Sequence, residues 1–440
     1  MRNLLLLMLI CVLPGIGMAQ QSMSFTLKQA QDYAIAHNFQ MQSARLDLET
    51  ADLTVKETLS AGLPQINASA SLNDNLKLMT TLIPAEMFGG PAGTYTEIQF
   101  GTQYNTSWGV QATQLLFNGP VIVGIQTAKV YRELSEQGVV KTQKDILETV
   151  ANTYYLTLIS EESMKIIDGN IENLKATLTQ TKTMFAAGMV EATDVDQITI
   201  SLTMMENTKR SMMRNIELNY NLFRFQLGLT GETEVSLTES LENVMEQVSF
   251  ETILAQQFLV GNNIEYNMIE TQENLALLNI KAQKSLYLPS LAGFFTYNQS
   301  GQGDELFGQT WFPNSIIGAQ LDIPIFAGGQ RKAKLGKAKV ELRKIENTKN
   351  MVQEQLLLQE RQLRFNLNNA LEKYSNEKEN VVLAKRVMDN IYLKYQQGIV
   401  SSLDLTQANS NYLQAENNHI SALMEVLQAK VALDKLLNNI

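Results

Sequence analysis

The stretch MFAAGMVEATDVDQ at residues 184–197 returns as KYQQGIVSSLDLTQ at 394–407, a constant 210 residues later. Gly188 answers Gly398, Val190 answers Val400, Asp194 answers Asp404 and Gln197 answers Gln407. At an offset of 225, Phe25, Ala30, Asn38 and Pro64 match Phe250, Ala255, Asn263 and Pro289. At an offset of 209, Gly109, Gln111, Phe117 and Gly119 match Gly318, Gln320, Phe326 and Gly328. A chain built this way is expected to fold as two copies of one unit. The first copy spans 20–228, with strands at about 65–117, and the second spans 250–440, with strands at about 290–326. A connector, 229–249, joins them and has no sustained period. The first copy carries 16 more residues between Pro64 and Gly109, including IPAEMFGGPAGT, which reads as a long loop at a hairpin tip. Its shorter counterpart is SGQGDELFG.

Residues 1–19 read as a secretory leader: Arg2, an apolar run from Leu4 to Leu13, and Gly17-Met18-Ala19 before a cleavage at Gln20. The alternative makes Cys11 a lipid-bearing residue, but bulky Ile10 precedes it. The single cysteine lies in this leader, so the mature chain is expected to carry no disulfide and no thiol chemistry. A net charge of −10 and export argue against nucleic acid as a partner. No later stretch has about 18 consecutive apolar residues, so a membrane would have to be entered as strands.

Residues 66–73 alternate strictly, with Ile66, Ala68, Ala70 and Leu72 apolar and Asn67, Ser69, Ser71 and Asn73 polar. Residues 100–113 place Phe100, Tyr104, Trp108, Val110 and Ala112 on one face and Gln103, Asn105, Ser107, Gln111 and Thr113 on the other. Period two predicts strands with one apolar side. Leu291, Gly293, Phe295 and Tyr297 keep the phase in the second copy, as do Ile317, Ala319, Leu321 and Ile323, although Phe294 and Ile316 fall on the polar side. A soluble sheet with one buried face is the plain reading. Export, and strands of about ten residues with aromatics near their ends, point instead to a membrane barrel. Four strands cannot close one, because the minimum is about eight, and open edges are not tolerated in a bilayer. Several chains would therefore have to share a barrel.

Eight prolines in 440 residues leave room for long helices. One is expected from Gly119 to Ala187 and one from about Gly329 to Gln397, each about 100 Å long at about 1.5 Å per residue. Apolar steps of three and four, as in Leu147, Val150, Tyr154 and Leu158, predict coiled-coil-like packing. Shorter helices are expected at about 25–60 and 192–228, stacked end to end and antiparallel to the long one. Gly188 and Gly398 would end the descending helices, and Asp194 and Asp404 would sit near the start of the returning ones, where the helix dipole favours an anion.

In this order of elements, occurring twice, the sequence resembles the outer-membrane efflux duct family (TolC-like). LPQI and LPSL precede the strands, LFNGP and IFAGG precede the long helices, and G-x-V-x-x-x-D-[VL]-x-Q marks both tips. The resemblance implies a mainly α fold with a membrane β-barrel: long helical hairpins in an α-barrel, plus four strands per chain in a shared trimeric barrel of about twelve strands. It implies a homotrimer in outer-membrane lipid. A periplasmic adapter protein would dock at the tips and link the duct to an inner-membrane pump or exporter, for efflux or type I secretion. The docking tips would be Gly188, Met189, Val190 and Glu191 with Gly398, Ile399, Val400 and Ser401. Asp404, with Asp194, would line the pore constriction; Gln407 stands where the family has a further aspartate, and Val400 where it sometimes has an arginine. A structural or adhesive coiled-coil envelope protein is the alternative, but such a stalk has no use for paired strand hairpins.

No enzyme is expected. The two histidines, His37 and His419, have no nearby Cys or His partner in sequence, so no metal or other cofactor is expected. No P-loop, Gly-x-Ser-x-Gly or HExxH motif occurs. Arg331, Lys332, Lys334, Lys337 and Lys339 form a basic cluster in GGQRKAKLGK. It reads either as a solvated helix face or as a group lying beside anionic headgroups just below the barrel.

Overall fold

The computed structural model describes residues 23–231, 233–246 and 249–440. The expected leader, with its cleavage before Gln20 and with Cys11, lies outside the described residues. The chain divides into two compact units, each drawing on both halves of the sequence.

One unit comprises residues 47–136 and 268–350. It holds β2 (Gln65–Asp74), β3 (Met79–Pro84), β4 (Tyr95–Phe100), β5 (Tyr104–Phe117), β7 (Ser290–Gly303) and β8 (Thr310–Asp322). Four of these form an antiparallel sheet in the order β2-β5-β7-β8. The alternation seen in sequence sets its faces. Ile66 lies opposite Ala112, Ala68 opposite Val110, and Ala70 opposite Trp108. Across the sheet, Val110 pairs with Tyr297, Ala112 with Phe295, Phe295 with Ile317, and Leu291 with Leu321. A bulge at Leu116 keeps Phe117 opposite Leu291. The apolar face has no layer packed on it, since Ile66 is 71% exposed and Ile317 84%. The other face is largely amide and hydroxyl, with Asn67 opposite Gln111 and Ser71 opposite Ser107. Phe294 and Ile316 do depart from that pattern. The Phe294 ring lies over Gly318, where a Cβ would come within 2.7 Å of it.

The stretch read as a long loop in the first copy is partly ordered. β3 and β4 pair as a separate antiparallel hairpin around a short 3-10 turn, Ala85–Phe88. In the second copy, Ser300–Gly303 belong to β7, so the turn there is shorter than SGQGDELFG implied. Helical layers run from this sheet. Asp52 of α2 (Phe39–Ser60) meets Arg132 of α3 (Gly119–Ala186) at 2.5 Å. Lys281 of α7 (Ile264–Ser285) donates to Gln126 of α3 at 2.8 Å. Lys349 of α8 (Gln330–Gln396) reaches Glu270 and Glu273 of α7 at 2.9 Å each. The order within this layer is α2-α3-α7-α8, so its ends, like those of the sheet, come from opposite halves of the chain.

The other unit holds residues to Leu46, 137–267 and 351–440. The shorter helices α4 (Ala192–Leu227) and α9 (Ser402–Leu437) pack here against the long ones. Asn219, Lys209 and Glu206 of α4 meet Ser160, Asp168 and Lys175 of α3, numbers falling as their partners' rise, which makes the pair antiparallel. Ile146, Val150, Tyr154 and Leu158, at helical spacing, put one face of α3 into the core with Phe223, Leu227 and Leu427. Tyr154 meets Tyr155 and Phe223 edge-on, at 6.2 and 5.9 Å. Each such buried aromatic contributes about 1.5–3 kcal/mol.

The helix expected over about 25–60 is three elements. β1 (Met23–Phe25) pairs in parallel with β6 (Val235–Leu237), and α1 (Leu27–His37) is separated from α2 by Asn38. Asn38 is extended, and its Oδ1 accepts from the backbone N–H of Gln40 at 2.8 Å, so it starts the second helix by capping it. Its Nδ2 donates to the Gln226 carbonyl at 2.7 Å, which seats the end of α4 on the break. Gly228 closes α4 at φ 75°, where a Cβ would lie 2.3 Å from the His37 oxygen. The second copy repeats the joint. Asn263 caps α7, and Asn438, the only non-glycine residue at positive φ among those described, ends α9 and donates to the Asn262 carbonyl at 3.0 Å. In the connector, α5 (Leu241–Glu246) follows β6, and α6 (Phe250–Ala255) opens the second half; Arg364 of α8 holds the latter by donating to the carbonyls of Leu254 and Gln256.

Candidate functional site

The two tips lie within one unit, and both turn in the same way. Gly188 at φ 74° and Gly398 at φ 68° take the left-handed conformation, and neither has an atom that would touch an added Cβ. Glycine is needed there for its backbone angle, not for space. Met189 N–H donates to the Met184 carbonyl at 2.9 Å, and Ile399 N–H to the Lys394 carbonyl at 3.0 Å, closing each long helix by the six-residue bond typical of a glycine C-terminus. Glu191 and Ser401 then cap the returning helices. Their backbone N–H groups donate to Asp194 Oδ2 at 2.9 Å and Asp404 Oδ2 at 3.0 Å. Both aspartates stand in a first helical turn, where the dipole favours their charge.

From this shared frame the two aspartates diverge. Asp194 Oδ1 accepts a hydrogen bond from Ser402 Oγ, which ties the first tip to the second. The Ser402 hydroxyl is the main reason the Asp194 carboxyl is held below its ordinary pKa. Asp404 is exposed and, among the described residues, its side chain bonds only to its own cap, the Ser401 hydroxyl and backbone, which lower its pKa in the same direction. A second tie lies behind the first. Thr181 donates to the Thr177 carbonyl at 2.9 Å, so the buried Tyr395 hydroxyl, 2.7 Å away, donates to Thr181. A third is the buried bond from Asn170 Nδ2 to Asn409 Oδ1 at 2.8 Å. Of the residues singled out in sequence, Gly188, Met189, Glu191, Gly398, Ile399, Ser401 and Asp404 are exposed, Val190, Val400 and Asp194 half-buried. Phe185 and Leu403 add to the exposed apolar surface of the tips.

Ser402, Thr181 and Tyr395 were not among the expected site residues. Ser402 stands where the first copy has Ala192, and buried Tyr395 where it has exposed Phe185. The one available signal was this loss of symmetry inside an otherwise matched stretch. His37 stacks on Tyr33 at 4.0 Å and His419 on Tyr374 at 5.1 Å. Among the described residues, no group of three or more His, Cys, Asp or Glu side chains is placed to hold a metal ion. No described helix is long and apolar enough to cross a membrane.

Residues 31–216 and 259–439 match the family described as "Outer membrane efflux protein". The chain belongs to the outer membrane efflux protein family. It is 22% identical to the outer membrane protein TolC of Vibrio cholerae over 426 residues, covering 92% of this chain and 90% of that protein. Its fold is similar to that of the solved Vibrio cholerae outer membrane protein VceC. The TM-score there is 0.72 at 14% identity, over 93% of this chain and 95% of that one. It is also similar to the Campylobacter jejuni outer membrane channel CmeC, with a TM-score of 0.70 at 16% identity over 93% of this chain and 85% of that one. Membership places this efflux protein in the outer membrane, with the four-stranded sheet in the bilayer and a helical tunnel in the periplasm, in a family of channels. The bare apolar sheet face has its explanation in lipid, and the soluble-sheet reading falls away.

Proposed function

We infer that this protein is the outer-membrane duct of a tripartite efflux or type I secretion system. It acts as a passive homotrimer whose tips dock a periplasmic adapter, and the adapter joins it to an inner-membrane pump or exporter. The observation that carries a barrel shared between copies is the sheet order β2-β5-β7-β8, with unlike strands at its two edges. Pairing β8 of one copy with β2 of the next is a head-to-tail contact, which gives a ring when its rotation closes. Three copies give twelve strands, above the minimum of about eight for a membrane barrel. Light scattering on the detergent-solubilised protein is expected to give three chains per particle. A stable monomer with its sheet intact would refute this.

The tips support the docking reading. They combine exposed apolar side chains, Met189, Ile399 and Leu403, with backbone fixed by glycine and capping bonds. Asp404, with no hydrogen bond to the other tip among the described residues, is the residue three copies would bring round one axis at the periplasmic mouth. Like charges in a narrow passage concentrate cations. Asp404→Asn is expected to lower the cation-to-anion permeability ratio in single-channel recordings, while Asp194→Asn changes it less. An unchanged ratio in Asp404→Asn would remove Asp404 from the conduction path. Docking itself is tested by cross-linking cysteines at Met189 and Ile399 to an adapter from the same cell. Capture of no adapter by either position, with the trimer intact, would count against it.

A further inference from the structure

The first fifteen residues of α8, Gln330 to Lys344, hold seven Lys or Arg and one acid, Glu341, in a chain of net charge −10. This is the end of a helix at which the dipole disfavours positive charge, so helix stability does not account for them. Neither does the repeat. The matching start of α3 has only Lys129 and Arg132, and Arg132 is paired with Asp52 and Glu136. Two members of the α8 cluster have local work. Arg331 donates to the Pro324 carbonyl at 2.9 Å and lies over the Tyr287 ring, and Lys344 pairs with Glu341 at 3.4 Å. Lys332, Lys334, Lys337 and Lys339 are exposed, and none has an ion pair or hydrogen bond among the described residues.

Directly before them, the chain leaves β8 at Asp322 and presents Ile325 and Phe326, 92% and 87% exposed. The Arg331 bond to Pro324 holds this segment beside the helix. Apolar side chains where a membrane strand ends, followed at once by unpaired cations, match the boundary between acyl chains and headgroups. We propose that residues 323–339 bind anionic phospholipid at the periplasmic leaflet. Ile325 and Phe326 enter the acyl boundary, and Lys332, Lys334, Lys337 and Lys339 hold headgroup phosphates. The inference rests on the strands lying in the outer membrane and is independent of adapter docking. A competing occupant is the acidic surface of α2 on a neighbouring copy, Asp47, Glu49 and Glu57, exposed in the single chain.

The test is native mass spectrometry of the full-length protein released from detergent after titration with phosphatidylglycerol or phosphatidylcholine. Phosphatidylglycerol is expected to bind in preference. Each basic residue near an anionic surface adds roughly fivefold to affinity. The fourfold variant Lys332→Gln, Lys334→Gln, Lys337→Gln, Lys339→Gln is therefore expected to lose that preference by about tenfold or more. A fourfold variant at Lys182, Lys378, Lys385 and Lys394 in the other unit is expected to keep it. Phe326→Ser is expected to weaken binding of both lipids. Equal binding of the two lipids by the native protein, or an undiminished preference in the α8 variant, would overturn the proposal. So would loss of the oligomer by the α8 variant in lipid-free detergent, which would assign the lysines to the neighbouring copy.

Discussion

Val110→Arg is expected to prevent assembly in the membrane, whereas Gln111→Arg, one residue along the same strand, is expected to assemble. Val110 belongs to the face shared by Ala68, Tyr297 and Ile317, and Gln111 lies opposite Asn67 and Thr296 on the other. A cation on the lipid face near the bilayer midplane costs about 2–4 kcal/mol, while lumenal positions are wet. The cost falls on every copy, so a ring of several copies multiplies it. The measurement is the amount of oligomer in outer-membrane fractions on a gel run without heating. If the Gln111 variant is lost and the Val110 variant survives, the sheet faces the other way round.

Asp194→Ala is expected to raise the fraction of time spent in a wide-conducting state by about tenfold. A hydrogen bond to a charged group contributes about 1.5–3 kcal/mol, and solvent screening at this half-exposed site points to the lower end. Ser402→Ala removes the same tie from the other side and is expected to reproduce most of the effect. Ser401→Ala, which loses only the cap of its own helix, is not. Acid offers an independent route. The bond from Ser402 favours ionised Asp194, so its contribution is complete above the ordinary carboxylate range near 4 and is lost as pH falls through the lowered value. Lowering periplasmic-side pH below about 4 is therefore expected to widen the native channel and to leave Asp194→Ala unmoved. Planar-bilayer recordings decide it. Equal conductance in the native protein and in both Asp194→Ala and Ser402→Ala would show that this tie does not hold the passage closed.

Much of this architecture was legible because it is periodic. Residues at steps of three and four run unbroken through α3, and the glycine that ends it has a twin 210 residues on. Strand faces were legible because a period of two survives into the register. The breaks were not. A single asparagine inside an amphipathic pattern is tolerated by a helix as readily as it caps one, and only Asn38 Oδ1 meeting two backbone amides tells them apart. Three-residue strands such as β1 and β6 are too short to show a period. The β3–β4 hairpin was hidden by the glycines and prolines of its own turn. The tie between the tips was invisible for a different reason: Asp194 and Ser402 are far apart in sequence, and each is also what a helix start requires.

The end-to-end joints at Asn38 and Gly228, and at Asn263 and Asn438, have a mechanical meaning. No peptide bond crosses either joint directly; the end of α4 is held to the start of α2 by packing and by single hydrogen bonds such as that from Asn38 to Gln226. Such a contact resists compression but transmits little torque. The column of α4 and α2 is two helices end to end, whereas α3 and α8 are unbroken over 68 and 67 residues. Each half of the chain thus pairs one continuous helix with a column made in two pieces.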